Sequence, residues 1–494
     1  MATVRITLAP LAVEDLIAIV DGARVELDDA TLAAIAAGRA VVDEALRSGT
    51  AVYGLTTQVG HGKDTRLDDE QIRSEQQFLI NSHGGGLGRP LPTEIVRAAL
   101  AVRLNGMARG GSGASVAAAA TLAAMLNAGV HPLVPEIASI GAADIGQMAG
   151  MAQVAVGMGR AEYRGEVLDG GQALREAGIA PLVLSGKDGL ALMSANGVSV
   201  GHGALVVARA AQTAVAADIA AALSMEATAA NVSVLHPAVG LAKAIPGQIA
   251  AADHLRNLLD GSALIDPASA RSVQDALSFR VVPQVHGALR EYVAAATSAV
   301  TTELNAAGDN PLASAQERML ISNGNFQPMV MAIAFDALRI ALAHVGQLSD
   351  RRMSHLWDAY FRQLTSGPPR GPAYGLQVRY PAAARYTELR QLAAPATLDT
   401  PALDIGVEDH GTSAPLSVQQ ADRALGVLED ILACELLLAH DVLATMPDRP
   451  DLGTGTSAAL RMVDEAIAAA DPRPDAVHSA LRAQFPGPRR PSGD

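Results

Sequence analysis

The sequence predicts an all-α protein: a bundle of long helices with a small mixed region at the N-terminus. Three observations carry this. Apolar residues make up 49% of the chain but aromatic ones only 3%, so the apolar mass is Ala, Leu, Val and Ile; alanine is the best helix former, and small faces let helices approach closely. Several helical patterns run past about 25 residues, a length that in a soluble chain points to a long-helix bundle, and residues 204–236 contain neither Gly nor Pro. The 494 residues also suffice to bury a large core without disulfide staples.

In chain order, residues 3–27 mix β-branched and polar positions (VRITL, ARVEL) and read as a small strand pair before a first helix near 32–48. From Asp69 onward nearly every segment reads helical, as in 93–107, 115–128, 189–226, 269–305, 329–360 and 417–443. Residues 365–380 (TSGPPRGPAYGLQVRY) interrupt with Pro and Gly and read as a functional loop or a linker. The chain from Asp471 ends in Pro, Gly and charge and reads as loose beyond Phe485. No internal repeat stands out.

With 37 basic against 51 acidic residues the formal charge is -14, which leaves no electrostatic footprint for nucleic acid. The single cysteine, Cys434, lies in an apolar helical pattern (ILACELLLAH) and reads as a buried small hydrophobe, in keeping with a reducing cytoplasm. Acids inside the apolar N-terminal stretch argue against a secretory signal, and the most apolar long segment, 203–223, still carries Arg209 and Asp218. A soluble, cytoplasmic protein without a membrane span is expected.

Short polar islands interrupt the helical text. The first, VYGLTTQVGHG from Val52, is a Gly-punctuated loop with one tyrosine; Tyr53 is a general base only if neighbours lower its pKa from about 10, and otherwise a packing residue in a turn. Next come QQFLINSH ahead of GGGLG, where His83 is a ring-recognising group or a helix-end histidine. Arg103-Leu-Asn105 with GGSG, and Asn196-Gly197, also suit helix caps. Downstream lie Gln274-Asp275, Ser278-Phe-Arg280, Pro283-Gln284, Glu303, Asn305, Asp309-Asn310-Pro311, Gly324-Asn-Phe326-Gln327 and Glu408-Asp409-His410. Arg280 and Asn105 are types that clamp a carboxylate. Glu408-Asp409-His410 offers one histidine and no helical i, i+4 partner, so no metal is assigned. GxSxG, Walker, HExxH and CxxC patterns are missing, and GGGLG does not follow a strand.

In this order the islands resemble the histidine/phenylalanine ammonia-lyases, the aromatic amino acid lyase family, over roughly residues 10–450. Tyr53-Gly with Thr57 and Gly60 is similar to the family's tyrosine loop, and Gln77 with Ser82-His83 to its ring-binding segment. His131-Pro with Pro135, Lys187-Asp-Gly-Leu-Ala-Leu, Asn196-Gly, Gln274 to Gln284, Asp309-Asn-Pro311, Gly324-Asn-Phe326, Ser349 with Arg351-Arg352, and Glu408-Asp-His410 complete the series. The resemblance implies an all-α homotetramer whose sites are shared between subunits and take a small-molecule substrate. It implies Tyr53 as base for the β-proton, Asn196 and Glu408 near the amino group, and His83, Asn105, Arg280, Gln274, Asn310 and Phe326 around the substrate. Ser82-His83 is similar to the histidine-specific branch, favouring imidazole over phenyl. Along the chain this suggests an active-site domain over 1–190, a central bundle over 191–450 and a C-terminal helix and tail over 451–494.

The departures matter as much. The family carries Gly-Ala-Ser-Gly-Asp-Leu, whose Ala-Ser-Gly cyclises to the electrophile methylidene-imidazolone (MIO), whereas this chain reads ASIGAADIGQMAG from Ala138. Aligning Gly141 and Asp144 leaves only Ala142 and Ala143 between them, neither a serine, and Ser139 lies on the wrong side of Gly141. Cyclisation needs a serine hydroxyl to lose as water, so no MIO, and no other cofactor, is expected. Leu277 stands where the family usually has tyrosine, Gln327-Pro328 for His-Gly and Val407 for Gln, and two residues are inserted before Asn196. What remains suits elimination of a better leaving group, as in the MIO-free ergothionase branch, which releases trimethylamine. It also suits a lyase or cyclase of secondary metabolism with an activated substrate, or a silent small-acid-binding relative. Arg379 and Arg385 are further cations that either face an anionic substrate or lie on a helix surface.

Overall fold

Residues 2–364 and 372–485 are described by the computed structural model of the chain. Helices dominate, and they fall into two units, each assembled from separated stretches of sequence. The first unit comprises Met1–Val206, Thr297–Ile333 and Ala396–Gln419, and the second Val207–Ala296, Ala334–Pro395 and Gln420–Asp494.

In the first unit, strands Thr3–Ile6 and Arg24–Leu27 pair as expected, but in parallel. Parallel neighbours need a crossover, and the helix Val13–Val20 supplies it, burying Val13, Leu16 and Ile19. That helix was not anticipated; the acids that break its apolar run, Glu14 and Asp15, sit in its first turn, where the helix dipole favours them. The helix Asp29–Ser48 follows, its first turn capped by the Asp28 side chain accepting from the Thr31 amide at 2.8 Å. The helix Thr93–Ala108 is buried from Ile95 to Ala108, as an all-round apolar helix must be. Its Arg103 is satisfied by a bidentate pair with buried Asp309 at 2.8 and 3.2 Å. Short strands also occur beyond the N-terminus, at Leu87–Pro90 with Pro135–Ile137, in the sheet of His131–Pro132, Arg160–Tyr163 and Glu166–Asp169, and at Leu312–Ser314 with Met319–Ile321.

The single helix expected over 189–226 is two, Asp188–Met193 and Gly197–Thr228. The break has a use: the Ala195 carbonyl, freed from helical pairing, accepts from the Asp144 amide at 2.9 Å.

In the second unit the core gathers Ala221, Ala222, Met225, Leu255, Leu259, Phe279, Val282 and Leu348. Buried Glu435 accepts from Arg352 Nε at 2.6 Å, Ser224 Oγ at 2.6 Å and Ser349 Oγ at 2.5 Å, while Arg352 Nη1 reaches the Ser278 carbonyl at 3.2 Å. The helix expected over 269–305 is broken into Leu277–Arg280 and Val282–Leu304, preceded by irregular chain. The loop expected over 365–380 is corrected in its second half. Tyr374–Leu392 is a helix with Pro381 inside, started by Asp441, whose carboxylate accepts from the Leu376 amide at 2.9 Å; residues 365–371 lie outside the described residues. Arg379 pairs with Asp350 at 2.9 Å, and Arg385 with Glu388 at 2.6 Å and with Asp430. Both cations thus have acidic partners within the second unit. Cys434 is buried as expected, its thiol pushed up to about 12 chiefly by burial. Two helical stretches are long and apolar enough to cross a membrane, and 94% and 61% of their apolar windows are buried inside the protein.

Candidate active site

The glycine-alanine bend is a tight turn in which Gly141 bridges to Ala143. Gly141 has φ +85 and Ala143 φ +55, the left-handed region that costs a residue with a Cβ roughly 1–2 kcal/mol. Neighbours hold this conformation. The Ala143 amide donates to the Phe326 carbonyl at 3.0 Å, the Gly141 carbonyl accepts from Thr412 Oγ1 at 2.8 Å, and the Ile140 carbonyl accepts from the Ser413 amide at 2.8 Å. A Cβ on Gly141 would lie 2.3 Å from Thr412 Oγ1, so glycine is required there.

Asp144 does not cap its own helix, Ile145–Ala155, with its side chain. Its carboxylate instead accepts from the Ser199 amide at 2.7 Å and Ser199 Oγ at 2.8 Å, meeting the donor-rich start of Gly197–Thr228. Burial pushes its carboxyl up to about 6, against the opposing pull of the Ser199 and Val198 donors. Ser139 takes the capping role: its Oγ accepts from the Gly146 amide at 3.2 Å and donates to Gln147 Oε1 at 2.7 Å. The bend therefore offers no serine, and the nearest hydroxyl before it is engaged. These residues do not fit an MIO group.

Beside the bend, Asn196 is 8% exposed and its Nδ2 has no partner among the described residues. It lines a cavity of about 30 Å³ with Arg103, Val200 and Glu303. Burial raises the Glu303 carboxyl.

The tyrosine loop and the Glu408 segment are joined by an acid the sequence reading missed. Asp404 accepts from the His61 amide at 2.8 Å through Oδ2, and its Oδ1 lies 2.8 Å from His61 Nδ1. The adjacent Gly60 amide donates to Tyr53 Oη at 3.0 Å. A Cβ on Gly60 would fall 2.1 Å from Asp404 Oδ2, so the loop closes this far only with glycine. Burial raises the Tyr53 phenol; the Gly60 donor lowers it, and Glu408 and Asp404 raise it further. The condition set for a tyrosine base, a lowered pKa, is thus not met by this chain's own groups. Glu408 is also raised, by burial and by Asp404, with His83 pulling it back.

His83 ends the helix Asp69–His83, where Nδ1 faces the Leu79 carbonyl at 2.8 Å. A nitrogen on a carbonyl carries the proton, which leaves Nε2 as the acceptor of the neutral ring. Glu75, one helical face back and 7% exposed, was also missed; burial raises it and His83 lowers it.

The other expected residues are placed by their contacts within the chain. Asn105, read as a carboxylate binder, is fully buried; its Nδ2 donates to the Leu304 carbonyl at 2.7 Å and its Oδ1 accepts from Arg109 at 2.7 Å. Asn310 Oδ1 accepts from the Asn323 amide at 3.1 Å and shapes its own loop. Phe326 meets the bend through its backbone carbonyl. Gln274 and Arg280 belong to the second unit, Gln274 on exposed chain and Arg280 at the end of the helix Leu277–Arg280. Among the described residues no three His, Cys, Asp or Glu side chains are placed to hold a metal ion.

Known proteins place this arrangement in context. The chain is 36% identical over 465 residues to the histidine ammonia-lyase of Gloeobacter violaceus, covering 92% of this chain and 90% of that one. It is 35% identical over 454 residues to that of Streptococcus sanguinis, covering 91% and 88%. Among solved structures, the ergothionase of Treponema denticola, in complex with desmethyl-ergothioneine sulfonic acid, superposes with a TM-score of 0.92 at 28% identity, over 97% of this chain and 99% of that one. The histidine ammonia-lyase of Trypanosoma cruzi does so with a TM-score of 0.83 at 30% identity, over 98% and 94%. The family model for aromatic amino acid lyases matches residues 11–465, and the chain belongs to that family.

Proposed function

We propose that this protein is an MIO-independent carbon-nitrogen lyase. It carries out base-catalysed β-elimination of an amine, foremost trimethylamine, from an imidazole-type amino acid or betaine, as a soluble cytoplasmic homotetramer with sites shared between subunits. The observation that carries the reading is the serine-free bend: Ala142 and Ala143 stand between Gly141 and Asp144 with the turn retained. Expelling ammonia from an unmodified α-amino acid calls for an electrophile. A quaternary ammonium leaves as a neutral amine without one.

In this reading Tyr53 takes the β-proton, the C–H electrons become the new double bond, and the C–N electrons depart with trimethylamine. Asp404 and Glu408, both felt by the Tyr53 phenol, favour a substrate with a fixed positive charge. That charge in turn lowers the phenol toward a usable base. His83 Nε2 accepts from the ring and Arg280 binds the carboxylate. Identity of 35–36% to histidine ammonia-lyases supports an imidazole ring, and the ergothionase likeness supports the leaving group.

The test is incubation with ergothioneine, histidine betaine, histidine and tyrosine, with trimethylamine and ammonia assayed separately. Trimethylamine from a betaine and no ammonia from histidine is expected; ammonia from histidine, or an intact mass two waters short at 141–145, overturns the reading. The raised Tyr53 phenol favours a second reading, a lyase or cyclase with an activated substrate or a non-catalytic acid binder, to which silence on all four compounds points.

A further inference from the structure

The segment 403–408 is strained where nothing in its sequence asks for it. Asp404 has φ +48, Ile405 φ +55 and Gly406 φ +84, so two residues with a Cβ, one of them β-branched, sit consecutively in the left-handed region. Such strain persists only where surrounding contacts over-determine it. Ile405 contributes none of them, being 89% exposed. The contacts are the backbone pairing of Leu403 with Glu408 at 2.8 Å and the grip of Asp404 on His61.

We propose that Asp404 is a positioning residue that latches the Gly60-His61 peptide against Tyr53 and so sets the titration of the phenol. The geometry runs in one line: the Asp404 carboxylate holds the His61 amide and ring, Gly60 leaves room for that carboxylate, and the Gly60 amide donates to Tyr53 Oη. The strained turn aims Asp404 at Gly60 and keeps Glu408, four residues on, in the same local pairing. Asp404 thus acts on Tyr53 in two opposed ways. Its charge raises the phenol directly, while the amide it positions lowers the phenol, and the amide is the stronger influence. The groups that bear on this set are Tyr53 and His61 on the loop, Glu408 on the strained segment and His83 at the end of the helix Asp69–His83.

The opposition gives a signed test. Asp404→Ala removes the latch, and Asp404→Gly does so while matching the left-handed backbone; both are compared by tyrosinate difference absorbance, with each variant carrying Tyr53→Phe as its blank. A latch predicts that Tyr53 titrates at higher pH in both variants, with the Gly60 amide exchanging at least about tenfold faster. A shift to lower pH, or none, leaves Asp404 as a bystander charge and overturns the proposal. The proposal draws its functional meaning from Tyr53 as base, but the titration reads the phenol itself. Failure of every substrate therefore leaves this outcome intact, and the reverse also holds.

Discussion

At the scale of the residue, the proposed chemistry turns on Tyr53 and on what surrounds it. Its phenol is raised by burial and by two carboxylates and lowered by one amide, and in the proposed reaction a bound cation brings it into use. Tyr53→Phe removes the acceptor of the proton and one hydrogen bond. With any accepted substrate, kcat is expected to fall by at least about 10²-fold, while the thermal midpoint moves only as far as about 1 kcal/mol allows; unchanged turnover in a steady-state assay removes Tyr53 as the base. The ordered motifs made the family legible, and Tyr53, His83, Asn196 and Glu408 all lie in the first unit. The hydrogen bonds of Asn105 to Leu304 and Arg109 were not legible, because nothing in RLNG tells a free amide from a paired one. Asp404 was missed because its contact with His61 spans 343 positions; the only local sign was a Gly-containing turn four residues before Glu408.

At the scale of the element, helix starts explain much of what the sequence hid. Asp144 serves Gly197–Thr228 rather than the helix it precedes, and Asp441 begins Tyr374–Leu392 inside a stretch that reads as coil. Each is a capping acid brought from a distant segment, invisible to rules that look for caps beside the first turn. The long helices themselves were legible from Ala-rich periodicity, but not their breaks at 194–196 and 281, where backbone groups are needed elsewhere. Asp144 also ties stability to pH. Its folded pKa, about 6, lies above the ordinary 3.8, so the folded state holds the proton more tightly, and this contribution is present at low pH and lost as pH rises through 6. Between pH 4 and 7 the wild type is expected to lose roughly 2 kcal/mol relative to Asp144→Asn, read from denaturant unfolding of the two proteins side by side. Parallel curves would show that Asp144 does not change its proton across that range.

At the scale of the whole molecule, the all-α class was legible because composition and period agree, while the interleaving of the two units was not, since no boundary in the sequence marks where the chain leaves one and returns. Exposed apolar side chains on the helices Met329–Leu364 and Val282–Leu304, including Val330, Ile333, Phe361 and Tyr292, are what a multimer of such helices would cover. Sedimentation equilibrium is expected to give about four times the 50.6 kDa of one chain, and a monomer at micromolar concentration would remove the shared-site design. The bend has a consequence of a different kind. Its path is set by Phe326, Thr412, Ser413 and Ala195, all outside it, so the methyl groups of Ala142 and Ala143 are not what gives the turn its shape. The turn is a scaffold held from outside itself, independent of the methyl groups it carries.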